Sequence, residues 1–151
     1  DLTVYYLDPI HQIVHVCLSI RRYQSDLARL AKDLKLSASR VIESVQLLEQ
    51  MNVVEREGGR VRVLIDSVHL PRESPVYTSW RSQMKILSLQ RLQNLEKDQA
   101  YSFSVVFSAN PEVRNRMQLR FLEMLQEVEG WVKEADSEQT YQLNFDLFSW
   151  T

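Results

Sequence analysis

The strongest constraint in this sequence is a run of two short amphipathic segments followed at once by a hairpin signal. Apolar residues recur at helical spacing over residues 27–34 and again over 41–48, with Lys35-Leu36 in the short turn between them. Gly58-Gly59 then separates two stretches in which apolar and polar residues alternate. Such a Gly pair between alternating stretches is typical of a two-residue β-hairpin. The run therefore predicts a helix, a tight turn, a second helix and a two-stranded hairpin.

In order and length, residues 24–65 match a winged helix-turn-helix. Ser25 and Ser37 precede the two helical segments, and a Ser side chain at that position can accept a hydrogen bond from a first-turn amide. Ala31 is small where the two helices would cross, and Asn52 stands where a left-handed residue ends the second helix. The expected fold class is α+β, with a winged helix-turn-helix followed by a long helix and a C-terminal β-α-β module.

The elements on either side of this unit are predicted from local composition, helix-start residues and the helical spacing of apolar residues. Residues 2–6 are rich in β-branched and aromatic residues and predict a strand, whereas Asp8-Pro9 predicts a helix start and a helix to about Ile20. An apolar stripe from Tyr77 predicts a long helix.

Residues 101–108 and 141–148 alternate and predict strands, with a helix beginning at Asn110-Pro111 between them. The predicted domains are a winged helix-turn-helix over 1–66, a linker over 67–76, and a helix plus β-α-β module over 77–151. Because that last module carries more apolar surface than two strands bury, we expect it to form a homodimer, with a sensing role as the alternative. The competing solution is that residues 2–6 or the hairpin complete its sheet within one chain.

Charge is distributed unevenly along the chain. The net charge is -2, but between Ile20 and Arg62 nine cations oppose six anions. A local basic excess suits double-stranded DNA. The second helix of a helix-turn-helix enters the major groove, and basic hairpins grip the phosphate backbone. The expected DNA contacts are therefore Ser37, Ser39, Arg40 and Ser44 on that helix, and Arg56, Arg60 and Arg62 on the hairpin.

Acidic residues keep a second interpretation open. Glu43 and Glu49 lie on the predicted recognition helix, and Glu55 and Glu57 flank the hairpin. Carboxylates at these positions repel phosphate. The alternative is a protein-interaction module with a winged-helix fold and no DNA binding.

No pattern in the sequence indicates an enzyme, a metal or a cofactor. The chain has only 3 glycines, too few for a phosphate-binding glycine loop, and it has no nucleophile or zinc-protease motif. His11 and His15 are spaced i, i+4, but without convincing further ligands we expect two semi-exposed histidines. Cys17 is the single cysteine, so no intrachain disulfide can form. Together with the lack of a membrane span, this favours a cytoplasmic protein.

The end of the chain resembles the closing motif Y-Q-L-N-x-x-L-F-P of a bacterial family that carries a domain of unknown function. The matching residues are Tyr141-Gln142-Leu143-Asn144-Phe145-Asp146-Leu147-Phe148. Residues 80–84 and 27–51 are similar to the same family. Ser149 replaces the usual Pro and Asn52 the usual Gly. The resemblance implies a role in transcriptional regulation. It also implies a further helical region before Asp1, so the chain is expected to be a fragment.

Overall fold

The computed structural model describes residues 2–151, which form helices and one small antiparallel sheet. The mixed composition is compatible with the predicted α+β class. The elements in chain order are α1 (Leu2–Leu7), α2 (Pro9–Cys17), α3 (Arg21–Gln24), α4 (Leu27–Leu34), α5 (Ala38–Gln50), β1 (Val54–Glu57), β2 (Arg60–Val63), α6 (Tyr77–Gln93) and α7 (Pro111–Glu134).

Three of the predicted helix starts are confirmed by side-chain caps. The Asp8 carboxylate accepts a hydrogen bond from the Ile10 amide at 3.1 Å. In the same way the Ser37 hydroxyl caps α5 and the Asn110 side chain caps α7. These caps satisfy amides that have no partner inside the helix. The cap of α4 is Asp26 rather than the predicted Ser25.

The predicted hairpin is also confirmed. β1 and β2 pair antiparallel, with Glu57 opposite Arg60, so Gly58 and Gly59 form a two-residue turn. Their φ angles are +59° and +76°. A turn with two positive φ angles matches the twist of the strands, and Gly adopts it without a steric penalty.

The prediction of a strand over residues 2–6 is wrong, because this segment lies in α1. Tyr5 and Tyr6 are buried in the core. The Tyr5 hydroxyl contacts His15, and the Tyr6 hydroxyl donates a hydrogen bond to the Val68 carbonyl. Long-range burial of the two rings therefore decides the conformation of a segment whose composition favours a strand.

The predicted C-terminal strands are not formed within the described chain. Residues 101–108 and 141–148 belong to no strand, and β1–β2 is the only sheet in residues 2–151. The predicted β-α-β module is thus reduced to its helix, α7, with a non-helical segment on each side. Alternation gives the expectation of an extended chain, but a strand also needs a pairing partner.

The chain divides into two compact units. The first extends to Gln93 and also includes Ser137–Gln142. Its core joins α1 to α5 with the hairpin, and its largest fully buried side chains include Leu18, Leu30 and Leu48. α6 contacts α1 and α2, where the Trp80 indole donates a hydrogen bond to Gln12 at 2.9 Å.

The second unit consists of Asn94–Asp136 and Leu143–Thr151. Its one regular element is α7, and none of the residues of that helix, all of them described, is buried. The rings of Phe121 and Phe145 stack face to face with centroids 3.9 Å apart.

Candidate functional site

The turn between α4 and α5 is built by local chemistry. Lys35 ends α4 in the left-handed conformation, with φ +57°. Its amide donates to the Lys32 carbonyl, and the Leu36 amide donates to Ala31 at 2.9 Å. This hydrogen-bond pair satisfies the last carbonyls of the helix and fixes the tight turn. The Ser37 cap of α5 therefore follows the last residue of α4, Leu34, by only three positions.

The N-terminus of α5 is exposed to solvent. Ser37, Ala38 and Ser39 are exposed, and the Ser37 and Ser39 hydroxyls lie 3.2 Å apart. Lys32 and Lys35 are exposed at the adjoining end of α4. These two lysines were not among the predicted DNA contacts, although the spacing places both at the end of the first predicted helix.

Arg40 is held by two carboxylates. It forms ion pairs with Asp8, which also caps α2, and with Glu43 at 3.3 Å. The predicted contact residue thus lies at the protein surface with its charge largely engaged. Asp8 connects the beginning of α2 to α5.

Ser44 lies in the core rather than on the exposed face of α5. It is fully buried, and its hydroxyl lies 2.8 Å from Nδ1 of His11. In this conformation Ser44 is out of reach of a ligand at the surface, so the prediction that it contacts DNA is wrong for this structure. The exposed line of α5 consists of Ser39, Ile42, Glu43, Gln46 and Gln50.

The predicted semi-exposed state of His11 and His15 is wrong, because both side chains are buried. His15 Nε2 lies 2.7 Å from the Ile65 carbonyl, and Nδ1 lies 3.0 Å from the Tyr5 hydroxyl. Because the carbonyl only accepts, Nε2 carries the proton and Nδ1 accepts from Tyr5. The pair thus ties α1 and the end of the hairpin to α2.

Burial sets the protonation of these side chains. Desolvation lowers the pKa of His11, against an opposing contribution from Glu43. Desolvation also lowers the pKa of His15, although the Ile65 carbonyl and Asp66 oppose it. Both imidazoles are therefore kept neutral at neutral pH, as their hydrogen bonds require.

The hairpin has two faces of different character. Arg60, Arg62, Glu55 and Glu57 share the outer face, because each pair lies directly opposite in the register. Arg62 forms an ion pair with Glu55, while Arg60 donates to the Gln24 side-chain oxygen at 2.7 Å. Two cations and two anions thus balance on this face, and Arg60 has a neutral partner.

Arg56 lies on the opposite face of the hairpin, in register with Val61. It forms an ion pair with Glu49 of α5 at 3.1 Å. Of the three predicted hairpin cations, two therefore lie on the outer face and the third bridges the hairpin to α5.

Cys17 is a buried thiol. Burial raises its pKa, and a hydrogen bond with the Thr140 side chain opposes that shift. Arg22 donates to the Glu138 carbonyl at 2.7 Å, so the segment 137–142 lies against α2 and α3. A raised thiol pKa makes Cys17 a poor nucleophile.

Within residues 2–151, no three His, Cys, Asp or Glu side chains are grouped in a way that could hold a metal ion. None of the helices in the same range has both the length and the apolar character that crossing a membrane requires.

Comparison with known proteins gives one match. The family model described as a domain of unknown function (DUF4423) matches residues 1–150. No curated protein and no solved structure matches the chain significantly.

Proposed function

The chain belongs to the DUF4423 family, and since that description names no activity, we propose from the geometry that it is a DNA-binding transcriptional regulator. In this proposal α4 and α5 form a helix-turn-helix, and β1–β2 forms its wing. The N-terminus of α5 enters the major groove, and the hairpin contacts the phosphate backbone.

The observation that carries the proposal is the exposed N-terminus of α5 directly after a tight turn, followed by a hairpin that packs on the same helix. Ser37 and Ser39 present hydroxyls at this end, and Lys35 presents a cation beside it. Helix N-termini attract phosphate because their first amides point outward and the helix dipole is positive there.

The ion pairs of the hairpin do not prevent phosphate contacts. Arg62 and Glu55 are both partly exposed, as are Arg56 and Glu49. An exposed ion pair contributes about 0–1 kcal/mol, so a phosphate can replace the carboxylate at small cost. Arg60 has only a neutral partner in Gln24, and we expect it to make the strongest phosphate contact of the hairpin.

A specific observation favours a second function, the recognition of a protein partner. The outer face of the hairpin carries as many anions as cations, and the centre of the exposed line of α5 carries Ile42 and Glu43. Such a mixed surface suits another protein better than a polyanion.

The test is duplex DNA binding measured at several salt concentrations. We expect wild-type affinity to fall steeply with salt, because each phosphate contact releases counterions. The Arg60→Glu/Arg62→Glu variant should lose affinity for all sequences and show a shallower salt slope. The matched control is Arg72→Glu/Lys97→Glu, two exposed charge reversals outside the hairpin that change the net charge by the same amount, and it should lose much less. Thermal unfolding checks that each variant is folded.

Two outcomes would contradict this mode of DNA binding. One is the absence of duplex binding at low salt by the wild-type protein. The other is an equal loss of affinity in the hairpin variant and the Arg72→Glu/Lys97→Glu control, which would show that the hairpin makes no specific phosphate contact. Either result leaves the protein-partner interpretation in place.

A further inference from the structure

The spacing of the apolar residues in the stripe along α7 is the same when counted from either end of the helix. Its members are four, four, three, four and four residues apart, and this spacing keeps them on one face. The stripe consists of Val113, Met117, Phe121, Met124, Val128 and Val132. None of these side chains is buried. A helix that packs antiparallel against a copy of itself needs such a symmetric pattern, because each half then faces the opposite half of its partner.

A line of charged side chains lies beside the stripe, and its order also favours an antiparallel copy. Arg116, Arg120, Glu123 and Glu127 are spaced by four, three and four residues, so they also share one side of the helix. The two cations come first and the two anions last. The helix dipole does not account for this order, because it acts within the terminal turns and favours the reverse polarity. An antiparallel copy would place each cation near an anion, whereas a parallel copy in register would place like charges together.

The first half of α7 lines an open apolar groove within the second unit. Its lining includes Val113, Met117 and Phe121 of the helix, with Leu143 and Phe145 of the segment that follows it. Arg116 and Arg120 also border this groove. The second half of α7 complements this groove in apolar character and in charge. It carries the apolar side chains Val128 and Val132 and, next to them, the carboxylates of Glu123 and Glu127.

Exposed aromatic side chains add the area that an interface needs. In the second unit Tyr101, Phe103, Trp131, Phe148 and Trp150 are each more than 60% exposed. An aromatic side chain buries about 150–250 Å², so the exposed fractions of these five side chains together offer roughly 550–900 Å². A standard interface buries about 800 Å² on each partner. The aliphatic residues of α7 add to this area.

The alternating segment 101–108 supplies a further contact surface. It belongs to no sheet in residues 2–151, and Tyr101 is 93% exposed and Phe103 73% exposed. A segment of alternating sequence that belongs to no sheet can add to a strand of another chain.

We propose that the second unit is an interaction surface for a second copy of this chain, with the two α7 helices packed antiparallel about a two-fold axis near Leu122. Arg116 of one copy then lies near Glu127 of the other. Arg120 and Glu123 form an ion pair within each helix at 3.2 Å, and an antiparallel copy brings the same pair of its own beside them. Phe145 already covers part of the stripe by stacking on Phe121. The partner covers the part of the stripe beside this stack and the exposed aromatic side chains. The proposal does not rest on DNA binding, so a dimer that fails to bind DNA would leave it intact.

The test is a charge swap, read as the dimer dissociation constant from light scattering and sedimentation of the full chain. Within one helix Arg116 and Glu127 are eleven residues, or about 16 Å, apart, so they cannot contact each other in a single copy. Arg116→Glu or Glu127→Arg alone creates like-charge contacts twice in a symmetric dimer. We expect either variant to raise the dissociation constant about tenfold. The double variant Arg116→Glu/Glu127→Arg should restore it.

The matched control is Lys97→Glu, an exposed charge reversal in the second unit outside α7, and it should leave the constant unchanged. A monomeric wild-type protein at tens of micromolar would overturn the proposal. So would a dimer that both single reversals leave intact, or single losses that the double variant does not rescue, because the contact would then lie on another surface.

Discussion

The two units of this chain use apolar side chains in opposite ways. The first unit buries Leu18, Leu30 and Leu48 completely and satisfies its buried His15 with Tyr5 and Ile65. In the second unit the longest helix of the chain buries none of its residues. The two units differ less in sequence than in structure, since both contain helices with apolar stripes.

The difference shows that an amphipathic pattern specifies a buried face without specifying what covers it. In the first unit α5 packs against both α2 and α4. In the second unit α7 has a stripe and a groove, and the antiparallel second copy proposed above supplies the cover. Stability of the first unit should therefore be a property of one chain, while that of the second should depend on protein concentration.

The largest effect is expected from a cavity in the first core. Leu48→Ala should lower the free energy of unfolding by about 2–5 kcal/mol, because it removes a fully buried side chain. The matched control is Leu119→Ala on α7, an exposed position outside the apolar stripe, where we expect less than about 0.5 kcal/mol. Urea unfolding measures both. Equal losses would contradict the contrast between the units.

Loss of the buried His15 should have the next largest effect. His15→Leu deprives the Tyr5 hydroxyl and the Ile65 carbonyl of their partner. We expect a cost of about 1–3 kcal/mol for leaving buried polar groups unpaired. His69→Leu is the matched control, because His69 is exposed. A neutral effect of His15→Leu would show that the network does not stabilise the unit.

Local chemistry made several elements of both units predictable from the sequence. The Asp8 and Ser37 caps and the Gly58-Gly59 turn of the first unit, and the Asn110 cap of the second, act within a few residues, so spacing alone identifies them. The predictions were wrong where contacts between residues distant in the sequence determine the structure. Burial of Tyr5 turns a segment of strand-like composition into a helix, and the contact between Ser44 and His11 joins residues 33 positions apart.

The segments 101–108 and 141–148 also show that local spacing does not reveal long-range contacts. Their alternation predicts an extended conformation, but sheet formation requires a partner that spacing cannot supply. The count of charges likewise did not predict which cations and anions the fold brings together. Nine cations against six anions indicated a basic surface, yet the fold places Arg62 beside Glu55 and Arg56 beside Glu49.

Acid should destabilise the first unit through its two buried histidines. Desolvation lowers the pKa of both His11 and His15 below the usual 6.5. Below about pH 6.5 the unfolded chain therefore binds protons that the folded unit resists, and stability falls as pH falls. Urea midpoints at pH 7.5, 6.5 and 5.5 measure the effect. A midpoint that rises as pH falls across this range would contradict it.

The smallest expected effect compares two left-handed residues in the first unit. Lys35 and Asn52 have φ angles of +57° and +58°. A Lys side chain is strained there, whereas Asn tolerates the conformation. We expect Lys35→Gly to raise the free energy of unfolding by about 0.5–1 kcal/mol and Asn52→Gly to change it little. An equal gain at both positions would contradict this explanation.

The most direct test of the contrast between the units is an inter-copy distance. A spin label at Glu112→Cys would be measured by pulsed electron paramagnetic resonance, with the buried Cys17 replaced by Ala to leave one labelling site. Glu112 lies about ten residues from the midpoint of α7, so antiparallel copies place the labels about 30 Å apart at about 1.5 Å per residue. Parallel helices would place them about 10 Å apart. A distance near 30 Å is the predicted result, while the shorter distance, or no coupling between copies, would contradict the account.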